Sequence, residues 1–177
     1  MAIIFKNEQN MKKSILFFCF LISFVSSAQT PSQTVPDFIF FNLDNTSFTN
    51  KNLTTGKEML FIFFDVACDH CLNTIKALNT RIKDCKEISV YLISLDNKVL
   101  INNFLNQYGK NLADQKNVTV LQDLKNQFIT QFGPRKYPSV FLYSSENKLI
   151  LYDDEDQSLE KVFKIILASK NNVQSNK

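Results

Sequence analysis

Residues 61–71, FIFFDVACDHC, carry an apolar run of strand length straight into two cysteines separated only by Asp69 and His70. With the residues just ahead of it the run reads EMLFIFF. Its lack of alternation predicts a strand buried on both faces, as in the middle of a helix-covered sheet. Beyond it, Cys71, Ile75, Leu78, Ile82 and Cys85 recur at alternating spacings of four and three, along one face of an amphipathic helix. Cys68 thus falls where a buried strand hands over to a helix. There the free N–H groups and the positive end of the helix dipole favour a negatively charged sulfur.

A CxxC pair at such a junction admits three uses. As a redox centre, Cys71 lies one turn into the helix, close enough to attack a mixed disulfide formed at Cys68. His70, the single histidine of the chain, would stabilise a Cys68 thiolate when protonated, and Asp69 would oppose it. As a metal clamp, the pair falls short of a structural zinc site, which calls for four ligands and usually a second Cys/His pair. Cys85 stands alone on the inward helical face, where a cysteine packs as a small hydrophobe. A copper-handling site built from Cys68, Cys71 and His70, and a Cys68–Cys71 disulfide serving only as a staple, stay open on these residues alone.

The 177-residue chain suits one domain with a sizeable core. Its net charge of +3 comes without a basic run interleaved with aromatics, which argues against a nucleic-acid partner. Residues 11–30, MKKSILFFCFLISFVSSAQT, read as a secretory signal. Lys12 and Lys13 precede an apolar stretch from Ile15 to Val25, and Ser26, Ser27 and Ala28 form a small-residue cleavage site. The apolar stretch is shorter than the roughly 20 residues a spanning helix needs. The expected organisation is a signal peptide over residues 1–28 with Met11 as its start, a lead-in over 29–36, one domain over 37–169 and a polar tail over 170–177. Cleavage removes Cys19 and leaves Cys68, Cys71 and Cys85. An odd cysteine count in an oxidising compartment points to thiol chemistry rather than a disulfide scaffold.

Along the rest of the chain, DFIFFNL and TSFTN flank Asp44 and Asn45 and predict a hairpin ahead of the main fold. ISVYLISLD reads as a second buried strand. It leads to a helix with Leu100, Ile101, Phe104, Leu105 and Tyr108 on one side and Gly109 near its end. VTVL is a short extended piece, and Asp123 is suited to cap a helix through Leu124, Phe128 and Phe132 that Gly133 and Pro134 stop. SVFLYS and KLILYD form a closing hairpin, and DQSLEKVFKIILASK a last amphipathic helix with Leu159, Val162, Phe163 and Ile166 inward. Strands alternating with helices, followed by a hairpin, predict an α/β protein with a mixed sheet. In RKYPSV, Pro138 is either a plain strand-edge start or part of a cis bond.

Together, LFIFFDVAC, the CxxC opening a helix and YPSVFLYSSENKLI resemble the thioredoxin superfamily. The likeness is to exported thioredoxin-like proteins of the TlpA/ResA type common in Bacteroidetes, and it spans residues 35–169. The resemblance implies a thioredoxin fold, a mixed central sheet flanked by helices, here with an added N-terminal β-hairpin. It implies thiol–disulfide exchange with Cys68 attacking and Cys71 resolving. Pro138 would be a cis-proline facing the CxxC, and Tyr137 would influence partner choice. It also implies no cofactor beyond the cysteines themselves, a periplasmic address, protein thiol or disulfide substrates, a membrane electron donor or acceptor, and a monomer. The rival is a non-catalytic module of the same fold that binds a protein, copper or zinc. The direction of exchange, reductive, oxidative or isomerising, follows from the redox potential of the pair.

The chain also departs from that family. Ala67 stands where relatives carry an aromatic residue, Ile62 where thioredoxins bury an aspartate, and Thr74 where the ResA-like pattern has a glutamate. Asp65, three residues before Cys68, is the acid left to accept a proton. Asp65 also occupies the place where the related peroxiredoxins need a threonine.

Overall fold

The computed structural model describes residues 30–155 and 157–175. The signal segment expected over residues 1–28 lies outside them. Seven strands, β1 (Ile39–Asn42), β2 (Ser47–Thr49), β3 (Met59–Phe63), β4 (Ser89–Ser94), β5 (Val118–Gln122), β6 (Ser139–Tyr143) and β7 (Leu149–Asp153), form one sheet in the order β2-β1-β5-β4-β3-β6-β7. β3, β4 and β5 run parallel, and every other pairing is antiparallel. The helices are α1 (Asp69–Arg81), α2 (Lys98–Tyr108), the short α3 (Lys110–Ala113) and α4 (Ser158–Ser175). The expected hairpin is present as β1 and β2, turning through Asn45 at φ 70°, and β1 joins the sheet beside β5.

All five β3 residues are buried, yet the strand has two different faces. Side chains alternate across a strand, so Leu60 and Ile62 point one way with Val90, Leu92, Val140 and Leu142, into an aliphatic core. Met59, Phe61 and Phe63 point the other way with Tyr91, Phe141 and Tyr143, into an aromatic one. The chain steps from β3 to β4 to β5 in one direction across the sheet. Right-handed crossovers then put both connecting helices on one face. Accordingly Ile75 and Leu78 of α1, Ile101 and Phe104 of α2, and Val162 and Phe163 of α4 share the aliphatic core.

The aromatic face departs from the helix-covered picture. It is closed by Phe38, Phe40 and Phe48 around the hairpin and by a single π-helical turn, Phe128–Phe132. The α-helix expected from Leu124 does not form. Asn126 takes a left-handed φ of 54°, which interrupts helical backbone, and Leu124 is left 55% exposed. The N-cap of the turn is Gln127 rather than Asp123, but Asp123 still braces the segment. Its buried carboxylate accepts from the Lys125 N–H at 3.1 Å and the Phe128 N–H at 2.7 Å. The rings of Phe128 and Phe132 then stack at 4.2 Å.

The exposure of one helix residue also differs from expectation. Leu100 is 45% exposed because it lies in the first turn of α2, just past the Asn97 cap. α4 continues to Ser175, because residues 170–175 contain neither glycine nor proline to stop it. The lead-in is tied to the fold at two places. The Ser32 N–H donates to the Phe132 carbonyl, and Thr34 bridges Lys148 at the end of the β6–β7 hairpin. Among the described residues no helix is long and apolar enough to cross a membrane.

Candidate active site

β3 delivers Phe64 to the carboxyl end of the parallel strands, and the next four residues turn the chain into α1. Cys68 is the N-cap of that helix, in extended backbone at φ −94° and ψ 118°. An N-cap residue faces N–H groups that have no partner within the helix. The cap here is a sulfur: Cys68 Sγ accepts from the Cys71 N–H at 3.4 Å. Cys68 is half-buried, and Cys71 behind it is fully buried in the aliphatic core.

The sulfur of Cys71 is itself held. The Asp65 backbone N–H donates to it at 3.4 Å, and the Asp65 carboxylate folds back on the loop to accept from the Ala67 N–H at 2.7 Å. Burial pushes the Cys71 thiol well above the usual thiol range; the Asp65 backbone N–H opposes this, and the neighbouring Cys68 side chain and Asp65 carboxylate add to it. The expected result is selective labelling. Iodoacetamide at pH 8 should modify Cys68 in the folded protein and leave Cys71 intact until the chain is unfolded, as peptide mass spectrometry would record. Equal labelling of the two would contradict this geometry.

The β6 side of the site comes from register. Phe63 pairs with Ser139, which carries Pro138 alongside Phe64 at the start of the cysteine loop. The Tyr137–Pro138 bond is cis. The Tyr137 ring packs on Phe63 with centroids 4.6 Å apart. Burial pushes its phenol up to about 12, helped by the charges of Asp65, Asp96 and Asp123. Tyr137 packs against both the aliphatic and the aromatic core, next to the proline that register sets beside the cysteine loop.

Asp96 and Asp123 add two carboxylates at the strand ends to the residues expected at the site. Asp96 Oδ2 accepts from the Val66 N–H at 3.0 Å and from the Ser94 hydroxyl at 2.8 Å, tying the cysteine loop to the end of β4. A legible signal existed. Each of the three parallel strands is followed within two residues by an aspartate: Asp65 after β3, Asp96 after β4, Asp123 after β5.

The remaining predicted residues are on the surface or packed away. Asp69 and His70 are exposed in the first turn of α1. Thr74 is buried with its hydroxyl on the His70 carbonyl at 3.0 Å, and Ile62 lies wholly buried between Leu92 and Val140. Neither provides an acid near Cys71, so Asp65 is the carboxylate closest in sequence to the two sulfurs on the strand side. Cys85 is buried in the aliphatic core beyond α1. Among the described residues no three His, Cys, Asp or Glu side chains are grouped as metal ligands.

Residues 31–152 match the AhpC/TSA family. The chain belongs to that family. Its thioredoxin fold recurs in solved structures of low sequence identity. The exposed lipoprotein thioredoxin Etrx1 of Streptococcus pneumoniae is 20% identical with a TM-score of 0.55, covering 72% of this chain and 98% of that one. A secreted Mycobacterium tuberculosis disulfide oxidoreductase homologous to E. coli DsbE is 16% identical with a TM-score of 0.60, covering 74% and 95%. A thioredoxin-like protein from Aeropyrum pernix is 16% identical with a TM-score of 0.59, covering 72% and 88%. Comparison with curated proteins finds no match.

Proposed function

We propose that this AhpC/TSA family member is an exported thiol–disulfide oxidoreductase that exchanges disulfides with protein substrates through Cys68 and Cys71. The observation that carries this reading is the unequal setting of two sulfurs one helical turn apart. Cys68 is reachable and capped by an N–H, and Cys71 is buried behind it with its thiol kept protonated. A reachable thiolate attacks first, and a protected thiol waits to resolve.

In the reductive direction the Cys68 thiolate attacks a substrate disulfide. One S–S bond breaks, a mixed disulfide forms, and one substrate sulfur leaves as a thiolate that takes a proton. Cys71 then gives up its proton and attacks Cys68. The second substrate sulfur leaves, and the protein holds a Cys68–Cys71 disulfide after passing two electrons to the substrate. Asp65 is the proton acceptor in this proposal, because its backbone already holds the Cys71 sulfur and its carboxylate lies in the same loop. The reverse sequence oxidises a substrate dithiol. The chemistry needs no cofactor. The partners proposed are protein substrates and a membrane electron donor or acceptor, with the chain acting as a monomer. The periplasmic address rests on the signal read in residues 11–28.

Peroxide reduction is less well supported. Asp65 holds the place of the threonine, and the two arginines of the chain are engaged elsewhere: Arg81 with Asp84 and Glu160, Arg135 with Asp154. The test is a paired assay of the mature protein. With dithiothreitol as reductant it should accelerate insulin disulfide reduction well above the dithiothreitol rate, and it should not accelerate hydrogen peroxide consumption. A Cys68–Cys71 bridge that dithiothreitol cannot open, with no insulin activity, would favour the binding module with a structural disulfide.

A further inference from the structure

The β3–β6 register carries the segment Arg135–Lys136–Tyr137 alongside the start of the cysteine loop, and one buried carboxylate just past the end of β7 holds it. Asp154, whose side chain is 5% exposed, follows the last residue of β7. Its Oδ2 accepts from Arg135 Nε at 2.9 Å and from the Tyr152 hydroxyl at 2.7 Å, and its Oδ1 lies 3.7 Å from Lys136 Nζ. The Tyr152 hydroxyl in turn accepts from the Arg135 backbone N–H at 2.9 Å and lies 3.2 Å from the Ser139 hydroxyl. Ser139 closes the ring by donating to the Lys136 carbonyl at 2.6 Å. The Arg135 guanidinium also stacks over the Tyr152 ring, 4.8 Å from its centroid, and that ring packs edge-on against Phe141 of the sheet.

Every polar atom in this set converges on the two residues before Tyr137 and the one after Pro138. None of them belongs to the CxxC loop. A buried carboxylate that satisfies an arginine and a phenol is costly to leave half-paired, so the set holds together. That arrangement fixes the backbone of residues 135–137 from the β7 side, while Phe63 fixes the Tyr137 ring from the β3 side.

We infer that Asp154 and Tyr152 are positioning residues that hold the Arg135–Tyr137 segment as a rigid rail for the substrate polypeptide in the mixed disulfide with Cys68. This rests on the thiol–disulfide reading above. The rail acts on a polypeptide lying beside Cys68 and not on the sulfur chemistry. Its loss should therefore weaken use of a protein disulfide and spare a small one.

The experiment compares wild-type protein with Asp154→Ala, Asp154→Asn and Tyr152→Phe. The measured quantities are KM and kcat for insulin, the rate of the reduced protein with the small disulfide 5,5′-dithiobis(2-nitrobenzoate), and thermal unfolding. Asp154→Ala should raise KM for insulin about tenfold, with the small-disulfide rate within about twofold of wild type. Asp154→Asn keeps an acceptor for Arg135 and Tyr152 and should recover most of that loss. Tyr152→Phe keeps the ring packing, folds where Asp154→Ala fails to, and should raise KM about threefold to fivefold. Wild-type KM in the folded variants, or parallel loss with insulin and the small disulfide, would overturn the rail. Absence of exchange by the wild-type protein with either disulfide would instead overturn the functional reading, and the rail with it.

Discussion

Cys68→Ser is expected to reduce insulin disulfide reduction to the dithiothreitol background, a fall of at least about a thousandfold, because a serine hydroxyl is no nucleophile toward sulfur at neutral pH. Cys71→Ser should fail differently. Its Cys68 still attacks, the Asp65 N–H still has an oxygen to donate to, and no second thiol sits one turn away to release the substrate. The protein should accumulate as a one-to-one mixed disulfide with a cysteine-containing substrate, visible on a non-reducing gel and by intact mass, and dispersed by excess dithiothreitol. The pair separates catalysis from stapling. A staple lost in either variant would cost stability equally and trap nothing. If both variants kept wild-type turnover, Cys68 and Cys71 would have no part in the activity.

How much of this was legible beforehand depended on what kind of information each element carries. β3 and α1 could be read because an unbroken apolar run and a spacing of four and three each fit one period, and the structure buries Cys71, Ile75, Leu78, Ile82 and Cys85 accordingly. The two-sidedness of β3 was legible only in retrospect. Its alternation is between Leu60 or Ile62 and Phe61 or Phe63, aliphatic against aromatic, and a polarity pattern does not register it. The segment after Asp123 looks helical in sequence because Leu124, Phe128 and Phe132 keep a helical spacing. The competing signal was Asn126, a residue that tolerates left-handed backbone. Asp96 was missed because its role is long-range: it holds Val66, thirty residues earlier, only once β4 lies beside β3. The clamp of Asp154, Tyr152 and Arg135 was illegible for the same reason, since nothing local links β7 to the turn before β6.

The π-helical turn Phe128–Phe132 is where a single substitution should cost the most stability. Phe132 is fully buried where the lead-in, the hairpin and the sheet meet. Its ring lies 4.2 Å from Phe128, 5.3 Å from Phe61, 5.9 Å from Phe141 and 6.0 Å from Phe38, and its carbonyl accepts the Ser32 N–H. Among the described residues no α-helix lies over this face, so a lost ring here cannot be replaced by a helix settling inward. Phe132→Ala should therefore destabilise the fold by about 4 kcal/mol, the sum of lost transfer energy and an unfilled cavity. For a domain of this size that lowers Tm by roughly 10 °C. Phe132→Leu keeps most of the volume and should cost about 1–2 kcal/mol. Ile150→Ala, on the exposed side of β7 at 41% exposure, should stay within about 0.5 kcal/mol. Urea unfolding of the three variants reads these differences directly. A Phe132→Ala midpoint equal to that of Ile150→Ala would mean that the aromatic face is not a core. The Cys68 labelling rate at 20 °C provides the internal control. It should be unchanged in all three variants while they remain folded, because the two sulfurs sit at the carboxyl end of β3 and the Cys71 pocket belongs to the aliphatic face.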